Sequence, residues 1–151
     1  MVLNYTTGIQ ADKTIGEIQK ILAEAGAARI AVDYEDGRPS GVTFGLTTVH
    51  GPRLFTLPVD VSAMQRLIQR EWNAGKLRSK GKSVMLSREQ AERVAWRIVK
   101  DWLAAQMALV AADQASIDQV MLPYVHVDHN KTLYAAYQER EQFLALEAPR
   151  G

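Results

Sequence analysis

From Ser87 to about Ala112 apolar residues return at the α-helical period, so any fold of this chain must accommodate one long helix. At about 100° per residue, Ala91, Val94, Ala95, Ile98, Val99, Trp102, Gln106 and Leu109 share one broad face. Arg93, Arg97 and Lys100 fall on a narrow stripe opposite it, and Trp96 projects at the border between the two. Ser87-Arg88-Glu89-Gln90 has the spacing of a capping box, with Gln in the N3 place, and opens the helix.

The segments before it alternate with a period of two. Ile30, Val32 and Tyr34 alternate with polar or small residues, as do Val42, Phe44 and Leu46, and Leu54 to Val59 reads as a third strand. Asp36 to Gly41 and His50-Gly51-Pro52 carry turn chemistry. Short connections between successive strands predict an antiparallel meander. Val2 to Ile9 is β-prone and reads as an edge strand. Thr14 with Glu17 forms a further capping box, opening a helix that ends at Gly26. Asp60 caps a helix with the stripe Val61, Met64, Leu67, Ile68 and Trp72, which ends at Gly75. Trp72 and Trp102 sit mid-face and read as core. After a helical turn near Ala115 to Val120, Thr132 caps a last helix. The layout predicts one α+β domain over residues 1–147, with 148–151 a frayed tail. It consists of a small antiparallel meander of three to four strands and about four helices, one of them long.

With 151 residues the chain is one domain's length. It has no cysteine, which excludes disulfides, a thiol nucleophile and thiolate metal sites. There is no apolar run of membrane-spanning length and no signal-peptide pattern, so a cytoplasmic protein without a membrane partner is expected. The net charge of +1 hides an asymmetry. Between Arg66 and Lys100 ten basic residues face three acids, giving +7, while eight basic residues and fourteen acids elsewhere give −6.

The basic residues of that window, Arg88 apart, are the candidate site. Gly75 to Ser83 resembles a phosphate loop, but it has one residue too many before Gly-Lys-Ser and follows a helix instead of a strand. Read instead as an extended basic loop, its Lys76, Arg78, Lys80 and Lys82 each reach a phosphate. Arg66, Arg70, Arg93, Arg97 and Lys100 add cations held on helices, and Trp96 is placed to stack a base. A second candidate is His126-Val127-Asp128-His129, with the Asp33/Glu35 pair, as metal ligands or an acid/base pair. As a polar turn and a solvated sheet face these residues need no such role. No metal or cofactor is expected, and no catalytic motif of the nucleophile-elbow, zinc-helix or dinucleotide type occurs.

Three segments, TIGEIQ from Thr14, RLFTLPVDV from Arg53 and AWRIVKDWLAAQ from Ala95, resemble small proteins of phages and integrated mobile elements. Leu122-Pro123-Tyr124 and Thr132-Leu133-Tyr134 fit the same pattern. The resemblance spans most of the chain and carries no catalytic residues. It implies work near phage DNA or against host defence. The reading is therefore a non-enzymatic nucleic-acid-binding protein, with single-stranded DNA the first candidate and a second copy of the chain a further partner. One alternative is an interaction module that sequesters a host protein or a small signalling nucleotide. Another is a metal-dependent enzyme.

Overall fold

A computed structural model describes residues 2–77 and 81–147, with side chains throughout except at 58 and 142–147. The predicted frayed tail, 148–151, lies outside the described residues. Three strands, β1 (Arg29–Glu35), β2 (Arg38–Thr48) and β3 (Gly51–Pro58), form an antiparallel meander with β2 in the centre. Val42 pairs with Leu57 and Phe44 with Phe55. This register puts Val42, Phe44, Leu46, Phe55 and Leu57 on the buried face, where the two phenyl rings stack 5.5 Å apart. Four helices exceed ten residues: α1 (Ala11–Glu24), α2 (Val61–Asn73), α4 (Arg88–Ala111) and α6 (Leu133–Glu147). Two short ones, α3 (Lys82–Met85) and α5 (Ile117–Met121), connect them. The α+β architecture is as the sequence predicts.

The turns differ in detail. Asp36 and Gly37 alone make the first hairpin loop, both at positive φ (51° and 75°), the geometry that matches the twist of flanking strands. Arg38 to Gly41, expected in the turn, belong to β2. The register slips there because Asp33 pairs with Gly41 and Tyr34 with Pro39, which leaves Ser40 as a bulge. A bulge lets a proline sit in a central strand. The second loop is Val49-His50, and Gly51 (φ 94°) and Pro52 open β3.

Helix α4 packs against both α1 and α2 and, over 24 residues, reaches about 36 Å. Its buried residues are Gln90, Ala91, Glu92, Val94, Ala95, Trp96 and Leu103. Trp96 is therefore core, not border, and Trp72 and Trp102, expected in the core, are only partly buried. The projection misleads because α1 lies along the side of α4 that carries its cations. The two helices run in the same direction, with Gln10 bonded to Arg93 and Glu17 to Arg97.

Two starting points are corrected. Helix α1 begins at Ala11, so Thr14 is not its cap; it is a fully buried interior residue whose hydroxyl accepts a hydrogen bond from Arg97. Val2 to Ile9 forms no strand. Its carbonyls at Tyr5 and Thr7 accept hydrogen bonds from the Gln90 side chain, 2.9 and 3.0 Å, so α4 and not a sheet edge takes up this arm. Ser87 caps α4 as expected, accepting from the Gln90 amide, but the Gln90 side chain has left the box to hold the arm. Asp60 caps α2, and Ser116 with Gln119 forms a complete capping box on α5.

At the C-terminal side, β4 (His126–Asp128) and β5 (Lys131–Thr132) form a small hairpin bridged to β3 through Phe55 and Val125. Thr132 accepts from the Ala135 amide and starts α6. Lys131 ties the hairpin to α6 through Glu139 at 2.8 Å. The hydrogen bond to that carboxylate, and then its charge, raise the lysine pKa above its ordinary value of 10.5. Among the described residues no helix is long and apolar enough to cross a membrane.

Gly75 ends α2 at φ 71°, with the Lys76 amide reaching back to the Glu71 carbonyl and the Gly75 amide to Trp72. This is a Schellman close. No atom lies within 4 Å of where a Cβ would be, so Gly75→Ala meets only backbone strain. It is expected to lower unfolding free energy by about 1 kcal/mol, read by urea denaturation.

Candidate nucleic-acid interface

The structure divides the predicted cations into two groups. Those on α4 are occupied within the protein. Arg97 Nη1 reaches Glu17 Oε2 and, at 3.4 Å, Thr14 Oγ1, and its side chain is only 16 % exposed. Arg93 donates to Gln10 Oε1 at 3.3 Å and to Gln90 Oε1 at 3.1 Å. Lys100 lies 3.6 Å from Asp101, which also accepts from Asn4. These contacts fasten α1 and the N-terminal arm to α4. The expected phosphate-binding stripe is thus a helix–helix seam, and the reason is charge pairing across some 80 residues of chain. Trp96, fully buried among these elements, offers no face to a base, and its indole Nε1 has no hydrogen-bond partner.

The second group is exposed. Arg66 and Arg70 are exposed on α2 and form no ion pair among the described residues. Lys76 just past the helix is 64 % exposed and lies 3.8 Å from Glu71. Lys82 is exposed at the start of α3. Arg78 and Lys80 lie outside the described residues. Arg88 is exposed at the start of α4, and its Nη1 donates to Ser62 Oγ at 3.0 Å, which brings a guanidinium to the first turn of α2. Sequence reasoning counted Arg88 in the basic window but did not select it. The signal missed was its position next to a helix cap, where its side chain leans toward a neighbouring helix.

The rest of the surface has the opposite sign. An open cleft of about 800 Å³ lies between the β1–β2 hairpin and the N-termini of α2 and α4. Its wall includes five acids, Asp33, Glu35, Asp36, Asp60 and Glu92, against two cations, Arg38 and Arg88. Arg38 is committed to Glu92 at 3.4 Å and lies 3.9 Å from Glu89.

On the outer face of the sheet Asp33 takes part in a hydrogen-bonded row. Thr43 donates to Asp33 at 2.8 Å, Thr43 and Thr56 are bonded at 2.9 Å, and Thr56 and His126 Nε2 at 2.6 Å. With the Thr43 proton on Asp33, the Thr56 hydroxyl points to Thr43, and Thr56 must accept from His126. His126 therefore carries its proton on Nε2. The imidazole braces the β4–β5 hairpin against β3, away from the cluster with Asp128 and His129 that the sequence offered. Asp128 accepts from the His129 amide in the hairpin turn. Among the described residues no three His, Asp or Glu side chains gather at metal-binding distance.

Two measurements separate bracing from binding. Arg97→Met is expected to cost about 2 kcal/mol of stability, since the pair is largely shielded but not fully buried. Adding Glu17→Gln to it is expected to cost much less than the sum of the two single changes, which a double-mutant cycle reads. Thr56→Val removes both central bonds of the polar row at nearly constant volume. It is expected to cost about 1–2 kcal/mol and to speed hydrogen exchange of the Leu133 amide, which bonds Val125.

Comparison of the chain with protein-family models, with curated proteins and with solved structures finds no match.

Proposed function

We propose that this chain is a non-enzymatic nucleic-acid-binding protein of phage or mobile-element type whose interface is α2 and the basic segment after it. One observation carries the reading. Arg93, Arg97 and Lys100 of α4 are engaged within the protein, while Arg66 and Arg70 stand exposed on α2 with no ion pair among the described residues. Lys76 and Lys82 continue the surface toward α3, and Arg88 extends it to the start of α2. Arg78 and Lys80 belong to the same stretch of sequence. Cations spread along an exposed helix suit a polymer of phosphates better than a single nucleotide, because each acts at a different point of the polymer and releases counterions. A pocket for a small signalling nucleotide would need a concave cationic wall, and the cleft beside the β1–β2 hairpin has an excess of acids.

A protein-interaction role has one observation in its favour. Tyr134 and Tyr137 stack 6.4 Å apart on α6 while each is more than half exposed, the kind of aromatic surface that partners cover. Replacing both by alanine is expected to leave nucleic-acid affinity unchanged, as followed by fluorescence anisotropy.

The decisive variant is Arg66→Ala with Arg70→Ala. Both residues are exposed, so stability should change by less than about 0.5 kcal/mol each. Affinity for a labelled oligonucleotide at low salt is expected to fall at least tenfold. The slope of log affinity against log salt is expected to shrink, because two cations that displace counterions from the polymer are gone. If affinity is unchanged, or if the wild type binds no nucleic acid in 50 mM salt, the reading is wrong.

A further inference from the structure

We infer that α2 reads double-stranded DNA through the major groove, with Arg66, Gln69, Arg70 and Asn73 facing base edges. The inference rests on the proposed α2 interface and names the substrate class it takes. Ser62, Arg66, Gln69, Arg70 and Asn73 are all exposed and fall within an arc of about 100° around the helix. Glu71, the one acid of α2, lies on nearly the opposite side and is largely shielded. Helix α2 packs chiefly on α4, so its outer half forms a free ridge. A helix with its side chains is about 10–12 Å across, and the major groove of B-form DNA is about 12 Å wide.

The residue types on the ridge matter as much as its shape. A surface that only neutralised phosphate would need cations alone. Here amide side chains stand among the arginines. Gln69 Nε2 donates to Asn73 Oδ1 at 3.0 Å, which leaves the Gln69 carbonyl and the Asn73 amide hydrogens to face outward as an acceptor beside donors. That pairing matches the N6 and N7 edge of adenine, and an arginine matches O6 and N7 of guanine. From Arg66 to Asn73 the helix rises about 10 Å, or roughly three base steps at 3.4 Å. The other cations stand at the two ends of this row, Arg88 at Ser62 and Lys76 beyond Asn73, where they meet flanking phosphates. This is the division in which phosphate contacts set position and base contacts set sequence.

Single strands are bound through exposed aromatic rings interleaved with cations. Trp96 is buried and Trp72 of α2 packs against the core. The exposed aromatics among the described residues, Tyr34, Tyr134 and Tyr137, are on β1 and α6. The ridge therefore has the polar chemistry of duplex readout and lacks a stacking platform.

The test uses the intact protein. Anisotropy compares a 20-base-pair duplex with a single strand of matched composition, and a duplex pool with a randomised centre is carried through rounds of selection. The duplex is expected to bind at least tenfold more tightly. The pool is expected to converge on a core of three to four base pairs containing guanine and adenine. Gln69→Ala with Asn73→Ala is expected to erase at least tenfold of the preference for that core over scrambled sequence while leaving the salt slope unchanged. Equal or tighter binding to the single strand, or an unconverged pool, overturns groove readout while the cationic interface stands. Failure of both polymers to bind at low salt overturns the interface and this inference together. Circular dichroism of the double variant confirms its fold, and Arg66→Lys, which keeps charge but loses the bidentate fork, gives a second reading of the same preference.

Discussion

The first half of α4 is covered from more than one side, and the rest of the molecule follows from that constraint. Ala91, Val94 and Trp96 have no exposed surface, and even the polar Gln90 and Glu92 are buried. These two side chains are each answered by a specific partner: Gln90 by the carbonyls of Tyr5 and Thr7, and Glu92 by Arg38. These pairings determine where the N-terminal arm lies and how the β1–β2 hairpin meets the helices. Within that half only Arg88 and Glu89, in the first turn, are exposed. Its cations serve the packing of α1, where the buried Thr14 and the shielded Glu17 both depend on Arg97.

The strands were the most legible part of the chain. Their alternation separates Val42, Phe44 and Leu46 from Thr43, Gly45 and Thr47, and a meander with short turns leaves little choice of pairing. Caps at Asp60, Ser87 and Thr132 were also readable, since each is a local interaction within three residues. The role of the α4 stripe was not readable. Arg97 and Glu17 are 80 residues apart, and neither carries a local mark of its partner. The available signal was on α1. Gln10, Thr14 and Glu17 recur at helical spacing beside the apolar stripe of Ile15, Ile18 and Leu22, a polar border matching the border on α4. For Trp96 the same covering by α1 turns a position on the edge of a projected arc into the centre of the core. The Asp33/Glu35 pair was read correctly as lying on one face; what the sequence hid was that Thr43 already takes Asp33.

Removing the α4 cations from the candidate site strengthens the electrostatic argument because it makes the site local. The exposed Arg66, Arg70, Lys76, Lys82 and Arg88 lie on or beside α2, with Glu71 tucked against Lys76. The acids of the cleft begin where this surface ends, since Asp60 caps α2 and Arg88 lines both regions. On the proposed interface an anionic polymer would be attracted along the ridge as far as Arg88 and repelled beyond it, at the acids of the cleft. Those acids penalise a polymer that runs on past Arg88, because like charges brought together without water between them cost more than a screened pair gains. The −6 portion of the chain therefore has two parts to play: Glu17 holds α1 to α4, and the acids around the cleft bound the positive ridge.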